Sequence, residues 1–286
     1  MHSLRRHFSA LESWSPPLVR MALVSAVLLL VALIGLAVDT RVITGAPAWL
    51  KPAKFGLSVA VYLLSLAWMV RDLPRTPTLR RTTSTIAWII TAEVLLICVQ
   101  AARGTTSHFN ADTPIDSAIF SAMGLGIATV WIASAVILWQ HWRAPSRDTS
   151  MAMALRFGLA LNILGAGVGW TMTRPFPGQI EAMQRGERPY IVGAHTVGAR
   201  DGGPGLPVVG WSIEHGDLRV PHFLGMHALQ VLPILLLMVR GLRRTRNDAI
   251  ERTVLVVATS ACSIAFVAAL LQALRGLPLL PLTGSS

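Results

Sequence analysis

Glu93 lies inside an apolar run beginning near Ser84, and Gln100 and Arg103 follow it at spacings of seven and three. Helical geometry stacks the three on one face. With Ser84 as the first helical residue, Glu93 falls about 14 Å along the axis at 1.5 Å per residue, near the middle of a bilayer. An acid at that depth costs about 2.5–3.5 kcal/mol on insertion scales, and such residues face a bundle interior or a cavity. The chemistry expected of this carboxyl is to bind and release a proton. The structural alternative is a neutral acid bonded to a neighbouring helix, for which Asn162 is the candidate partner.

A second polar group opens a later apolar run, in GDLRVPHFLGMHALQ from Gly216 to Gln230. Pro221 suits a first helical turn, so the helix is expected to begin near Val220. His222 and His227 are five apart, about 140° around an ideal helix. One helix therefore does not present both to one metal ion, and the i,i+4 spacing of HExxH is absent. His227 and Gln230, three apart, share a face; His227 is assigned to the bundle interior and His222 to its rim. A third histidine, His108, follows the run containing Glu93, in RGTTSHFN.

Two neutral imidazoles from different helices are what a bis-histidine haem b requires, and helix bundles supply that arrangement. His108 with His227 is the expected axial pair. Arg103, Arg174 and Arg219 would then pair with the carboxylates of a porphyrin or of another anionic ligand. A transition metal held by His108, His222 and His227, with Glu214 or Asp217, is a second version. Outer-face histidines bonded only to backbone or water are the plain alternative.

The elements that position these residues follow from composition. The chain has 286 residues, of which 53% are hydrophobic and only 14% charged, against about 25% charged in soluble domains. An apolar run of about 20 residues crosses the hydrocarbon, and seven runs qualify: 18–38, 55–70, 84–102, 115–140, 151–173, 221–240 and 253–274. Backbone groups must satisfy one another in lipid, so these runs are expected to be helices. The expected fold is all-α, one polytopic helical bundle, with a single long outer loop over 174–219. No run repeats another.

The formal net charge of +11 raises the question of nucleic acid, but topology accounts for it better. Fifteen of the 25 Lys and Arg fall at the N-terminus and after runs two, four and six, with the sharpest cluster between Arg240 and Arg252, including Arg243, Arg244 and Arg246. The positive-inside rule then puts the N-terminus in the cytoplasm and the C-terminus outside. These basic stripes are expected to meet anionic lipid, not nucleic acid. Of eight histidines, His108, His195, His215, His222 and His227 belong to the outer side, whereas His2, His7 and His141 are cytoplasmic. Trp68, Trp88, Trp139 and Trp142 on one side, and Trp49, Trp170 and Trp211 on the other, read as an interfacial belt. The first run is longer than a secretory signal core and is expected to be retained.

Cys98 and Cys262 both lie inside apolar runs without CxxC or Cys/His spacing, so they are expected to be packing thiols. Gly165 and Gly169 form a small-xxx-small face suited to close helix packing. The 46-residue outer loop is too long to be only a connector. Ile191–His195 and Leu206–Trp211 flank Asp201-Gly-Gly-Pro-Gly205, which reads as a hairpin-like flap over an outer cavity.

The combination of KPAKF, RGTTSHFN and GWSIEHGDLRVPHFLGMHALQ resembles that of a group of bacterial polytopic membrane proteins. The resemblance implies a bacterial inner membrane and no activity. Microbial rhodopsins are not matched, because the only lysines are Lys51 and Lys54 and neither lies in the last run. An adjacent His-His pair and a GxSx-type nucleophile, expected of haem-copper oxidase subunits and rhomboid-like proteases, are missing too. Three functions remain open, and whether the protein is an enzyme is open with them. One is a haem- or metal-binding redox protein exchanging electrons with quinone at the outer face. Another is a proton-coupled small-solute transporter in which Glu93, Gln100 and Asn162 line the path. The last is a sensory or assembly component whose flap binds a partner.

Overall fold

A computed structural model describes residues 12–242 and 246–280. His2, His7, Arg243 and Arg244 lie outside the described residues. The protein is all-α, with seven helices long and apolar enough to cross a membrane. In chain order the elements are α1 (Pro16–Val38), a hairpin of β1 (Val42–Ile43) and β2 (Ala46–Pro47), α2 (Leu50–Val70), α3 (Pro77–Ala102) and α4 (Pro114–Arg143). There follow α5 (Thr149–Met172), a short α6 (Pro177–Gln184), β3 (Thr196–Val197) paired antiparallel with β4 (Gly216–Asp217), α7 (Arg219–Gly241) and α8 (Asp248–Leu274).

The long helices fall on the seven apolar runs, and local chemistry fixes their ends. Thr76 caps α3 by accepting the Leu79 amide at 3.1 Å, ahead of Pro77 in the first turn. Asp148 caps α5 through the Met151 amide at 3.0 Å, and Asn247 caps α8 through Ile250 at 3.1 Å. The largest boundary difference is at α2, which starts at Leu50, so KPAKF forms its opening turns and not a loop. Pro52 is tolerated there because the first amides of a helix lack intrahelical acceptors. The earlier start of α3 leaves Glu93 about 14 Å from its C-terminal end, by rise per residue.

The long segment over 174–219 departs further from expectation. Its strands are Thr196–Val197 and Gly216–Asp217, with only a Gly205–Ser212 bridge inside the stretch expected to form the hairpin. Gly and Pro in Asp201–Gly205 make a turn but leave too few alternating residues to build a ladder. The α6 helix is also unanticipated; Pro177 opens it, and Pro-Gly reads as a turn in isolation. Gln179 ties it down by accepting the Gly193 amide at 3.0 Å and donating to the Ile191 carbonyl at 2.9 Å.

The chain forms two compact units, divided between Gln140 and His141. In the first, α1 packs along α2, and both contact α3. The Trp49 ring lies over Gly35, and its indole N–H donates to Asp39 at 2.7 Å. The Tyr62 hydroxyl and the Ser134 hydroxyl, 3.0 Å apart, join α2 to α4 in a buried position. In the second unit α7 packs closely on α5, and α8 contacts both. An added Cβ on Gly165 would stand 2.6 Å from the Met226 amide nitrogen, whereas Gly169 has only the His222 ring nearby, at 3.9 Å. Gly165, with Gly158 and Gly225, thus lets α5 and α7 touch. Leu30, Ile34 and Ile264 are 60%, 64% and 68% exposed, as side chains facing lipid would be; contiguous apolar surface is rare on soluble proteins.

Candidate functional site

In the first unit Glu93 is 6% exposed, and among the described residues it has no hydrogen-bond or ion-pair partner. Gly126 of α4 makes room for it: a Cβ there would lie 2.8 Å from Glu93 Oε1 and 3.0 Å from Ile89. A carboxyl in an apolar setting without a fixed partner has both oxygens uncommitted, which is the condition for exchanging a proton with a mobile donor. We expect Gly126→Val to push the carboxyl aside and to destabilise the fold by about 1–3 kcal/mol through overpacking; an unchanged melting curve of the purified variant would refute the close fit.

Gln100 and Arg103 do share a face, but the stripe does not run on to Glu93 through hydrogen bonds. Both turn to Asp116, which accepts from Gln100 Nε2 at 2.9 Å and from Arg103 Nη1 at 2.7 Å. Thr113 donates to the other Asp116 oxygen at 2.5 Å and accepts the Asp116 amide at 3.1 Å. Asp116 is 3% exposed, so this is a satisfied ionic lock at the start of α4. Thr113-Pro-Ile-Asp116 is a capping-box pattern ahead of an apolar run, the signal by which sequence reading could have found it. His108 sits among Phe55, Phe109 and Phe120, with ring centroids 5.9, 6.2 and 6.2 Å away, and its Nδ1 pairs with Ser107 at 3.0 Å.

In the second unit His222 Nδ1 stands 2.8 Å from the Gly165 carbonyl. A carbonyl only accepts, so Nδ1 carries the hydrogen and Nε2 keeps its lone pair. His227 stacks on Phe223 at 4.2 Å, Phe223 meets Trp211 edge-on, and Gln230 is within hydrogen-bonding reach of His227. Asn162 donates to the Met226 carbonyl at 2.8 Å, so its amide binds α7 backbone. Arg219 pairs with Asp217 at 2.6 Å and donates to the Gly210 carbonyl at 2.5 Å. Arg174 is exposed, and among the described residues its side chain has no ion-pair partner.

His195, absent from the expected ligands, is the residue the fold adds. It lies within electrostatic reach of His222, and its Nδ1 is 2.5 Å from Asp201 Oδ2. Asp201 also accepts the amides of His195 and Thr196 at 3.0 Å each and the Thr196 hydroxyl at 2.9 Å. Burial alone would raise this carboxyl, but the His195 ring and these amides more than offset it and hold it well below the usual aspartate range. No spacing rule links residues six apart in an irregular loop, so the pair was hidden. We expect Asp201→Ala to release the segment, raising amide hydrogen exchange over 195–197 while the helices stay protected; unchanged exchange there would refute the anchoring role.

Among the described residues no three His, Cys, Asp or Glu side chains gather as a ready metal-ligand group. His108 belongs to the first unit, and His222 and His227 to the second. No family model matches the chain, and no curated protein or solved structure is similar to it. Function has therefore to be argued from these side chains.

Proposed function

We propose that the protein is a multi-pass transporter of the bacterial cytoplasmic membrane, with its N-terminus inside and C-terminus outside, that couples proton movement to the passage of a small solute. Glu93 is the proton-binding carboxyl. The observation that carries this reading is an acid buried deep in an apolar helix, with no partner among the described residues and lodged against a glycine. A structural acid would be paired, as Asp116 is, because an uncompensated charge in lipid is costly. The orientation follows from the distribution of Lys and Arg.

The test is uptake by proteoliposomes holding the purified protein and a pH-sensitive dye, challenged with classes of small solutes across an imposed pH gradient. A solute whose entry changes internal pH supports coupling. If no solute moves protons, and protein-containing vesicles match empty ones under every gradient, the reading fails.

A second reading, a haem b or transition-metal redox centre at the outer face with quinone as partner, keeps one specific observation. His222 Nδ1 is tied to a backbone carbonyl, the arrangement that orients a ligating imidazole with Nε2 toward a metal. An oxidised-minus-reduced visible spectrum of protein expressed with ample iron, together with elemental analysis, separates the two. If a redox-active haem band appears, His222→Ala is expected to abolish it; retention of the band would remove that residue as a ligand.

A further inference from the structure

We infer that residues 16–104 and 149–276 are two copies of one three-helix module, α1–α3 and α5, α7 and α8, and that the protein's chemistry resides where the copies differ. This goes beyond the transport reading and does not depend on what is carried.

Three motifs recur in the same order. Pro52-xxx-Gly56 matches Pro221-xxx-Gly225, Met69-Val70-Arg71 matches Met238-Val239-Arg240, and Gln100-Ala101-x-Arg103-Gly104 matches Gln272-Ala273-x-Arg275-Gly276. Each marks the same structural event in its unit. The proline lies in the opening turn of the second helix, and the glycine is where that helix crosses the first. A Cβ on Gly56 would stand 3.0 Å from the backbone of Leu29 in α1, and one on Gly225 would stand 2.6 Å from Gly165 Cα in α5. Met-Val-Arg ends that helix in both units.

The third motif ends the third helix with the same cap. Gly104 and Gly276 have φ of 78° and 75°, the left-handed conformation that glycine adopts freely. The Gly104 amide donates to Ala101 at 3.0 Å and the Thr105 amide to Gln100 at 3.0 Å; Gly276 donates to Ala273 at 2.9 Å and Leu277 to Gln272 at 3.2 Å. These are the two bonds of a Schellman motif, made by corresponding residues.

Burial repeats as well. Pro52, Gly56, Val59, Leu63 and Ala67 form a buried stripe on α2, and Pro221, Gly225, Ala228, Leu232 and Leu236 form its counterpart on α7. The difference between the copies has a physical reason. Tyr62 and Met69 are buried too, Tyr62 against Ser134 of α4, whereas their counterparts Val231 and Met238 are 47% and 59% exposed. Among the described residues the second copy has no fourth long helix to cover that face. Copies begin on spans one and five, both odd-numbered in chain order, as the copies of a parallel repeat do. Parallel repeats of this kind are one of the architectures from which transporters are built.

Against that common frame, the chemistry is unshared. Where α7 has His222 and His227, α2 has Ala53 and Ser58, and α8 carries no acid beyond Glu251. The first copy keeps the carboxyl and the second keeps the histidines.

The test uses full-length protein in detergent, read by size-exclusion profile and melting midpoint, so it is independent of flux. Gly56→Leu and Gly225→Leu are both expected to lose the monodisperse peak, because each fills an equivalent helix crossing. His227→Ser, which installs the first copy's residue, and Val99→Leu with Ala102→Leu, which converts VQAARG to LQALRG, are expected to keep the wild-type profile and midpoint. Duplication is overturned if Gly56→Leu behaves as wild type while Gly225→Leu collapses. It is also overturned if either exchange variant falls apart as the glycine variants do.

Discussion

Glu93→Gln folds with the wild-type melting midpoint, loses uphill solute accumulation driven by a pH gradient down to the level of protein-free vesicles, and keeps solute exchange at equal pH. The argument is one of shape and charge. Glutamine has the volume of glutamic acid, so the space left by Gly126 remains filled, and no hydrogen bond or ion pair is broken because Glu93 makes none among the described residues. An amide does not carry a proton at any accessible pH, so steps that need proton binding stop while solute passage alone continues. Glu93→Ala is a poorer probe, because it adds a cavity to the loss of the acid. A variant that lost exchange and uphill uptake together, with its fold intact, would place Glu93 in solute binding and not in coupling.

Arg240→Gln destabilises the protein by about 3 kcal/mol, the lower end of the range for breaking a buried ion pair, since solvent screens part of this cluster. Arg240 bridges the ends of three helices, donating to Asp148 at 2.7 and 2.8 Å and to Glu251 at 3.0 and 2.7 Å. Glu251 is 2% exposed, and without Arg240 it keeps, among the described residues, Arg246 at 3.6 Å and Ser150 within hydrogen-bonding reach. Asp148 is held down to about 2, chiefly by the hydrogen bonds from Arg240. A depressed acid stabilises the fold fully above its ordinary value of 3.8, and that contribution disappears as pH falls through about 2. The wild-type midpoint should therefore not fall between pH 7 and pH 5 on account of Asp148. In Arg240→Gln its value moves back toward 3.8, so the Asp148 contribution is smaller and the loss of stability it causes below about pH 4 shrinks with it. Melting curves of both proteins across that range decide it; equal midpoints throughout would show the cluster to be ornamental.

How much of this was legible in the residues depends on the range of the interaction. Hydropathy is summed over a whole helix, so the seven spans could be read directly, and Glu93 stood out because an acid interrupting an apolar run is conspicuous at any depth. Gly165 was readable too, since small residues four apart mean close packing in lipid. Interactions closed by tertiary structure were not readable. Gln100 and Arg103 align on one face as spacing dictates, yet their partner, Asp116, comes from the next helix. Arg219 was expected to serve a ligand and is taken by Asp217 two residues away, a local pairing that the Asp-Leu-Arg triplet itself offered. The duplicated module escaped notice because lipid-facing positions accept any apolar residue, so identity survives only at turns, crossings and caps; the repeat emerges when those few positions are matched by geometry.

The most direct measurement of the central claim is proton entry into proteoliposomes under an imposed inside-negative potential, with the solute found by the uptake screen supplied outside, and with wild-type, Glu93→Asp and Glu93→Gln protein at matched density. If Glu93 carries the proton, wild-type vesicles acidify faster than empty ones, the aspartate variant retains part of that rate, and the glutamine variant falls to the empty-vesicle baseline. Equal acidification by wild-type and Glu93→Gln vesicles would mean that protons cross elsewhere or not at all, and the buried carboxyl would lose its function.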